Sequence, residues 1–146
     1  MDILHVQNVV SALVLLILSV QDIIKKEISA VIVSVYLLAG ILIGMVNNSV
    51  DVLVLSLIPG IAFGMLYFIA GKGMGIGDVL VVSALGIWLG LRNSLILVTV
   101  GVAFLEIYVM ASMLIMKIKT KRVDLESEIP FIPFLLIGQV VRMINA

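Results

Sequence analysis

Few residues in this sequence can do chemistry. There is no cysteine and one histidine, His5. Disulfides, thiolate metal sites and cysteine nucleophiles are excluded together, and a histidine-built metal site or a Ser-His-Asp triad has poor support. What remains is nine carboxylates. Asp2, Asp51, Asp124, Glu126 and Glu128 fall in the N-terminus or in polar breaks, where solvated surface charge accounts for them. Glu27, beside Lys25 and Lys26, reads the same way. Glu106 falls inside an apolar run. A charge at mid-membrane costs several kcal/mol unless it is paired, hydrated or protonated, so Glu106 is expected to face the bundle or a wet cavity, with a structural hydrogen bond as its default role. The last two acids stand at the edges of apolar runs: Asp22 in "QDIIKKEIS" and Asp78 in "GKGMGIGDVL". Taken singly, Asp22 suits an interfacial cap and Asp78 suits the N-cap of the helix that follows it.

The glycines before Asp78 ask for more than a cap. "GKGMGIGD" lacks the GK[ST] of a Walker loop and the spacing of a dinucleotide-binding turn, so phosphate is a weak reading. Glycine removes side-chain bulk and permits positive φ, which lets an extended peptide approach beside the carboxylate. Irregular backbone at membrane depth survives where it is buried in protein or lines water. A wet cytoplasmic cavity holding Asp78 meets that condition.

These residues must be positioned by membrane helices. The chain is 63% hydrophobic and 12% charged, with a mean hydropathy of +1.34. That charge fraction is about half that of a soluble domain, and an all-α, polytopic bundle read as one unit over residues 1–146 is the direct expectation. Six spans are expected: residues 3–20, 28–46, 50–70, 79–91, 94–116 and 129–144. The breaks between them are "QDIIKKE", "NNSVD", the glycine run, "RN" and "KIKTKRVDLESE". The first span lacks a basic start and a clear cleavage site, so it reads as retained. Six spans put Lys25, Lys26, Lys72, Lys117, Lys119, Lys121 and Arg122 on one side and only Arg92 and Arg142 on the other. The basic side is expected to be cytoplasmic, with both termini outside. Asp22 and Asp78 then lie at one depth, at the cytoplasmic boundary. Ordinary positive-inside topology is the stronger account of Lys72 and "KIKTKR", ahead of substrate or lipid contact. No extended basic region points to nucleic acid.

Three GxxxG pairs occur: Gly40/Gly44, Gly60/Gly64 and Gly86/Gly90. Each lets a second backbone come close. Internal packing is the default and a homodimer face the sharper alternative. Pro59 is expected to bend or interrupt the third span near its middle.

"GMGIGDVLVVSALGIWLG", residues 73–90, resembles the second signature of the type IV prepilin peptidases, membrane aspartyl proteases of the GxGD class. The GxGD is Gly75-Ile76-Gly77-Asp78. Asp22, just after a hydrophobic span and before a short loop, is similar in place to the family's first aspartate. "IPFIPFLLIG", with Pro130, Phe131 and Pro133, resembles the proline-phenylalanine segment that opens the last span. Departures are Ile28-Ser29 where the family often has an aliphatic residue followed by proline, Ile132 where a small residue is common between the prolines, and Val79-Leu80 where a lysine is common. The resemblance covers nearly the whole chain. With no cysteine and a start directly at the first span, it is similar to a stand-alone peptidase core without the cysteine-containing methyltransferase region.

That resemblance implies an aspartyl dyad of Asp22 and Asp78. Two carboxylates hold one proton between them; the ionised one takes a proton from water, which attacks the scissile carbonyl, while the protonated one assists the carbonyl oxygen and the leaving amine. The implied substrate is a prepilin or pseudopilin with a short basic leader, a glycine before the cut and a hydrophobic helix after it, cleaved at the cytoplasmic face of the inner membrane. No cofactor or metal is implied. Two other classes stay open: a small transporter or proton channel, suggested by intramembrane acids and broken helices, and a non-catalytic scaffold of a secretion machine, which would require neither aspartate.

Overall fold

The computed structural model describes residues 3–70, 75–118 and 129–145. Among them every regular element is α-helical: α1 (Ile3–Lys25), α2 (Ala30–Asn47), α3 (Val50–Ser56), α4 (Ile58–Ala70), α5 (Ile76–Ile118) and α6 (Ile132–Ile144). Four stretches are long and apolar enough to cross a membrane, α3 and α4 counting as one of them, and α6 is a shorter apolar helix. Exposed Leu13, Val31, Leu42, Phe68 and Met110 are part of the apolar surface this leaves for acyl chains. The protein is a multi-pass membrane helical bundle.

The third span breaks where proline requires it. Pro59 is the second residue of α4, and α3 stops at Ser56 with Leu57 as a turn. A ring nitrogen cannot continue the hydrogen-bond ladder, but it fits the first turn of a new helix. The expected break at "RN" is corrected. Arg92 and Asn93 are helical, and the interruption lies at Gly90, whose φ of 76° and ψ of 168° are open to glycine but strained for other residues. Leu91–Asn93 stay helical because Asn93 and Ser94 bond the carbonyls of Leu89 and Gly90 at 3.0 and 2.7 Å. α5 is thus two arms, residues 76–89 and 91–118, roughly 20 and 40 Å long at 1.5 Å per residue. They correspond to the fourth and fifth expected spans.

α5 packs against every other helix. Small residues allow it, as expected for internal packing: a Cβ on Gly60 would meet Ser83, one on Gly86 would meet the Ser56 carbonyl, and one on Gly40 would lie 2.6 Å from the Trp88 ring. Trp88 stacks on Tyr36 with centroids 5.0 Å apart and donates its Nε1–H to the Tyr36 carbonyl at 2.7 Å. The Tyr36 hydroxyl in turn shares a 2.6 Å hydrogen bond with Ser11. α1, α2 and the first arm of α5 are joined through that chain. The second arm joins α6 by close backbone approach, since a Cβ on Gly101 would lie 2.9 Å from the Phe134 carbonyl and one on Gly138 would meet the Leu97 carbonyl. In lipid, such packing and interhelical hydrogen bonding do the work that water-driven burial does in soluble cores.

α1 and α6 run antiparallel. Asp22 meets the start of α6 and Asn8 meets its end. Arg142, expected among the outside loop charges, is instead a buried residue of α6, 5% exposed. Its guanidinium donates to Asn8 Oδ1 at 2.6 Å and to Gln139 Oε1 at 3.1 Å, and Gln139 donates to the Asn8 carbonyl at 3.1 Å. Hydrogen bonds to neutral acceptors let the cation sit between helices without a carboxylate among these contacts.

Candidate active site

Asp22 lies in the last turn of α1. The helix runs five residues past the expected end at Val20, through Lys25, and stops because Lys26 takes a left-handed conformation, φ 53°. The Lys26 N–H closes on the Asp22 carbonyl at 3.0 Å, a stop more often made by glycine. The Asp22 side chain is 7% exposed. Its Oδ2 accepts the N–H of Ile132 at 3.0 Å. Ile132 is the first residue of α6, so that N–H has no acceptor within its own helix. Pro133 beside it has no N–H to offer. A carboxylate here also complements the positive end of the α6 dipole.

Asp78 is the third residue of α5, one turn inside the position expected of an N-cap, which falls on Gly75. Its Oδ2 accepts the Gly75 N–H at 3.2 Å, and its own N–H reaches the Gly75 carbonyl at 3.1 Å. This is the acidic half of a capping box. The carboxylate is partly exposed.

The two glycines of the motif differ in what they permit. A Cβ on Gly75 would lie 3.4 Å from Asp78 Oδ2, an ordinary contact; one on Gly77 would lie 3.0 Å from Ile28 Cδ1 and 3.2 Å from Ile28 Cβ. Ile28 belongs to the short connection after Asp22, and that connection is tied back to α1 by the Ser29 N–H on Gln21 Oε1 at 3.3 Å. The end of α1, the α1–α2 connection and the start of α5 therefore meet in one place. Asp22 and Asp78 stand on two of the elements that meet there, the last turn of α1 and the first turn of α5. Phe131, just before α6, is buried against Phe63 of α4, centroids 5.7 Å apart. Pro130 and Pro133 flank it, half-buried.

Other candidates fall elsewhere. Glu106 does not face the bundle: its side chain is exposed on the outer surface of α5, because the helix turns Leu97, Val98 and Gly101 inward to meet α6. Glu27 and Asp51 are exposed, as expected of surface charges. Asp2, Lys72, Lys119, Lys121, Arg122, Asp124, Glu126 and Glu128 lie outside the described residues. An apolar groove between α1 and α6, lined by Val9, Leu13, Leu16, Leu136 and Val140 among others, includes neither aspartate and offers no group for chemistry. Among the described residues no cluster of three or more metal-ligating side chains occurs.

A sequence profile of the type IV leader peptidase family matches residues 9–116 of the 146. The chain belongs to the type IV leader peptidase family. Membership makes it a peptidase of the leader-peptidase kind, and the matched stretch holds both Asp22 and Asp78. It ends before α6, so the N–H that seats Asp22 comes from outside the family match. No curated protein and no solved structure matched the chain.

In this leader peptidase family chain the sequence marks Ile28 and Ile132 only as departures from the family pattern, and what they touch came from the structure. Ile132 acts through its backbone N–H on Asp22, which no side-chain motif reveals. Ile28 acts through shape against Gly77, and its apolar character gives no chemical signal.

Proposed function

We propose that the protein is an aspartyl endopeptidase that removes the basic leader of type IV prepilins or pseudopilins at the cytoplasmic face of the inner membrane, with Asp22 and Asp78 as its catalytic pair. The observation that supports this reading is that the connection after Asp22 packs against the start of α5 that carries Asp78, Ile28 against Gly77, with each carboxylate held by a backbone N–H at a helix start. A dyad needs two acids that differ in surroundings and interact. Here one is buried under α6 and the other is partly open.

The chemistry follows from that pair. The ionised carboxylate takes a proton from water as the oxygen bonds to the scissile carbonyl carbon. The protonated carboxyl hydrogen-bonds the carbonyl oxygen, and the C–N bond breaks as the leaving amine acquires a proton. The two acids titrate as a pair. Asp22 and Asp78 are each anchored through Oδ2 by a backbone N–H, from Ile132 and Gly75. The distribution of lysine and arginine supports the orientation, with the aspartates cytoplasmic and both termini outside.

The test is co-expression with candidate prepilins. Asp22→Asn and Asp78→Asn keep a carbonyl oxygen for the Ile132 and Gly75 N–H groups, so each variant folds and each abolishes leader removal. Cleavage that survives either change refutes the dyad. Ion flux lost with the same residues, in a protein that cleaves nothing, would favour a transporter.

A further inference from the structure

Lys26 to Ser29 join the end of α1 to Ala30, the first residue of α2. This connection also carries the contact that a methyl group on Gly77 would meet, the side chain of Ile28. Gly77 immediately precedes Asp78. The course of the connection therefore limits where the start of α5 can rest. Its own residues do little to hold that course. Lys26 takes a left-handed φ of 53°, which lysine rarely adopts. Ser29 stands at the N-cap of α2, yet its side chain makes no capping bond.

Among the described residues, two hydrogen bonds tie the connection back to α1. The Lys26 N–H on the Asp22 carbonyl holds its near end. The Ser29 N–H on Gln21 Oε1, at 3.3 Å, holds its far end, beside Ile28. Gln21 is half-buried and adjoins Asp22 in the last turns of α1. A side chain next to one aspartate thus holds the segment against which the other aspartate's helix packs.

The backbone at Ser29 shows what that bond supplies. Its φ is −64°, the value a proline ring imposes, about −65°. Ile28 before it lies outside any helix, as a residue before proline does. A ring at position 29 would hold the same φ covalently, but it would remove the N–H that Gln21 accepts. The ring and the Gln21 bond are two alternative ways to hold one conformation.

We propose that Gln21 is a positioning residue for leader cleavage: its amide oxygen fixes Ser29 and, through Ile28 and Gly77, sets where Asp78 stands relative to Asp22. The proposal rests on the aspartyl reading of the site. The part Gln21 plays is geometric, and no proton passes through it.

Prepilin cleavage kinetics test it in the unaltered protein, Gln21→Ala, Ser29→Pro and the double variant. Gln21→Ala lowers kcat about tenfold and leaves KM within about twofold, as misplaced reacting groups do and lost substrate binding does not. In the Ser29→Pro background the same change lowers kcat less than about twofold, because the ring already holds φ. Trypsin reads the tie without catalysis. Lys25 and Lys26 are exposed, and cutting after them is at least about threefold faster in Gln21→Ala and returns to the unaltered rate when Ser29→Pro is added. Unchanged kcat in Gln21→Ala overturns the proposal. So does an equal loss in both backgrounds, a loss carried by KM or matched by a lower unfolding temperature, or a Ser29→Pro chain that does not fold. Failure of the dyad looks different: Asp22→Asn and Asp78→Asn would leave cleavage intact while trypsin still responded to Gln21→Ala. That result overturns the reading of the site and the kinetic half of this proposal with it.

Discussion

Replacing Gly77 by alanine places a methyl carbon 3.0 Å from Cδ1 of Ile28, 3.2 Å from its Cβ and 3.5 Å from its Cγ1. Carbon atoms at rest prefer about 3.5–4.0 Å, so the neighbour must retreat by several tenths of an ångström. Cδ1 can swing away, but Cβ is fixed to the backbone of the connection that follows Asp22. The strain therefore reaches the backbone between the two aspartates. Overpacking of this kind costs about 1–3 kcal/mol, and a displacement approaching 1 Å at a reacting centre is worth on the order of a hundredfold in rate. We expect Gly77→Ala to stay folded and to lose about ten- to a hundredfold in kcat/KM for prepilin cleavage. Adding Ile28→Ala removes Cγ1 and Cδ1 and leaves only the 3.2 Å contact, so the double variant recovers part of the loss although Ile28→Ala alone gains nothing. Cleavage assays on the four proteins of this cycle, beside thermal unfolding in detergent, separate geometry from stability. Additive effects of the two changes, or full activity in Gly77→Ala, would refute the argument that this contact sets the position of Asp78.

Two further expectations concern stability away from the aspartates. Arg142→Met keeps most of the side-chain volume but strands Asn8 Oδ1 and Gln139 Oε1; it should cost about 1–3 kcal/mol, read as a lower unfolding temperature with cleavage at permissive temperature retained. An unchanged unfolding temperature would show that the cluster contributes nothing. Trp88→Phe keeps the stack on Tyr36 and loses only the Nε1–H bond to its carbonyl, a loss of about 0.5–1.5 kcal/mol. Gly40→Ala forces a methyl to within 2.6 Å of the same ring and should cost more, about 1–3 kcal/mol. The reverse order in the same unfolding assay would contradict the packing described.

Hydropathy alone located the membrane segments, because acyl chains select apolar side chains wherever a helix meets them. Proline at position 59 announced its own break for a covalent reason, the missing N–H. The sequence also isolated Asp22 and Asp78, since so little else in the chain can do chemistry and glycine before an acid is hard to explain by packing. Its local reading of each acid was less secure. Asp78 is not the cap but the third residue of its helix, and Asp22 lies inside α1, because Lys26 rather than a glycine carries the left-handed stop. Both outcomes turn on one residue's φ or one hydrogen bond, which composition does not encode. The break at Gly90 was misplaced for a similar reason: "RN" looks polar, yet Asn93 folds its amide back onto its own helix. Which face of α5 turns inward was decided by its fit to α6, through Gly101 and Gly138. That fit buries Leu97 and leaves Glu106 outside, the reverse of what its charge predicts. Residue types by themselves determined what could react and what must lie in the membrane. Only the tertiary structure decided what each acid faces, because facing depends on where distant backbones come close enough to share a hydrogen bond or exclude a methyl group.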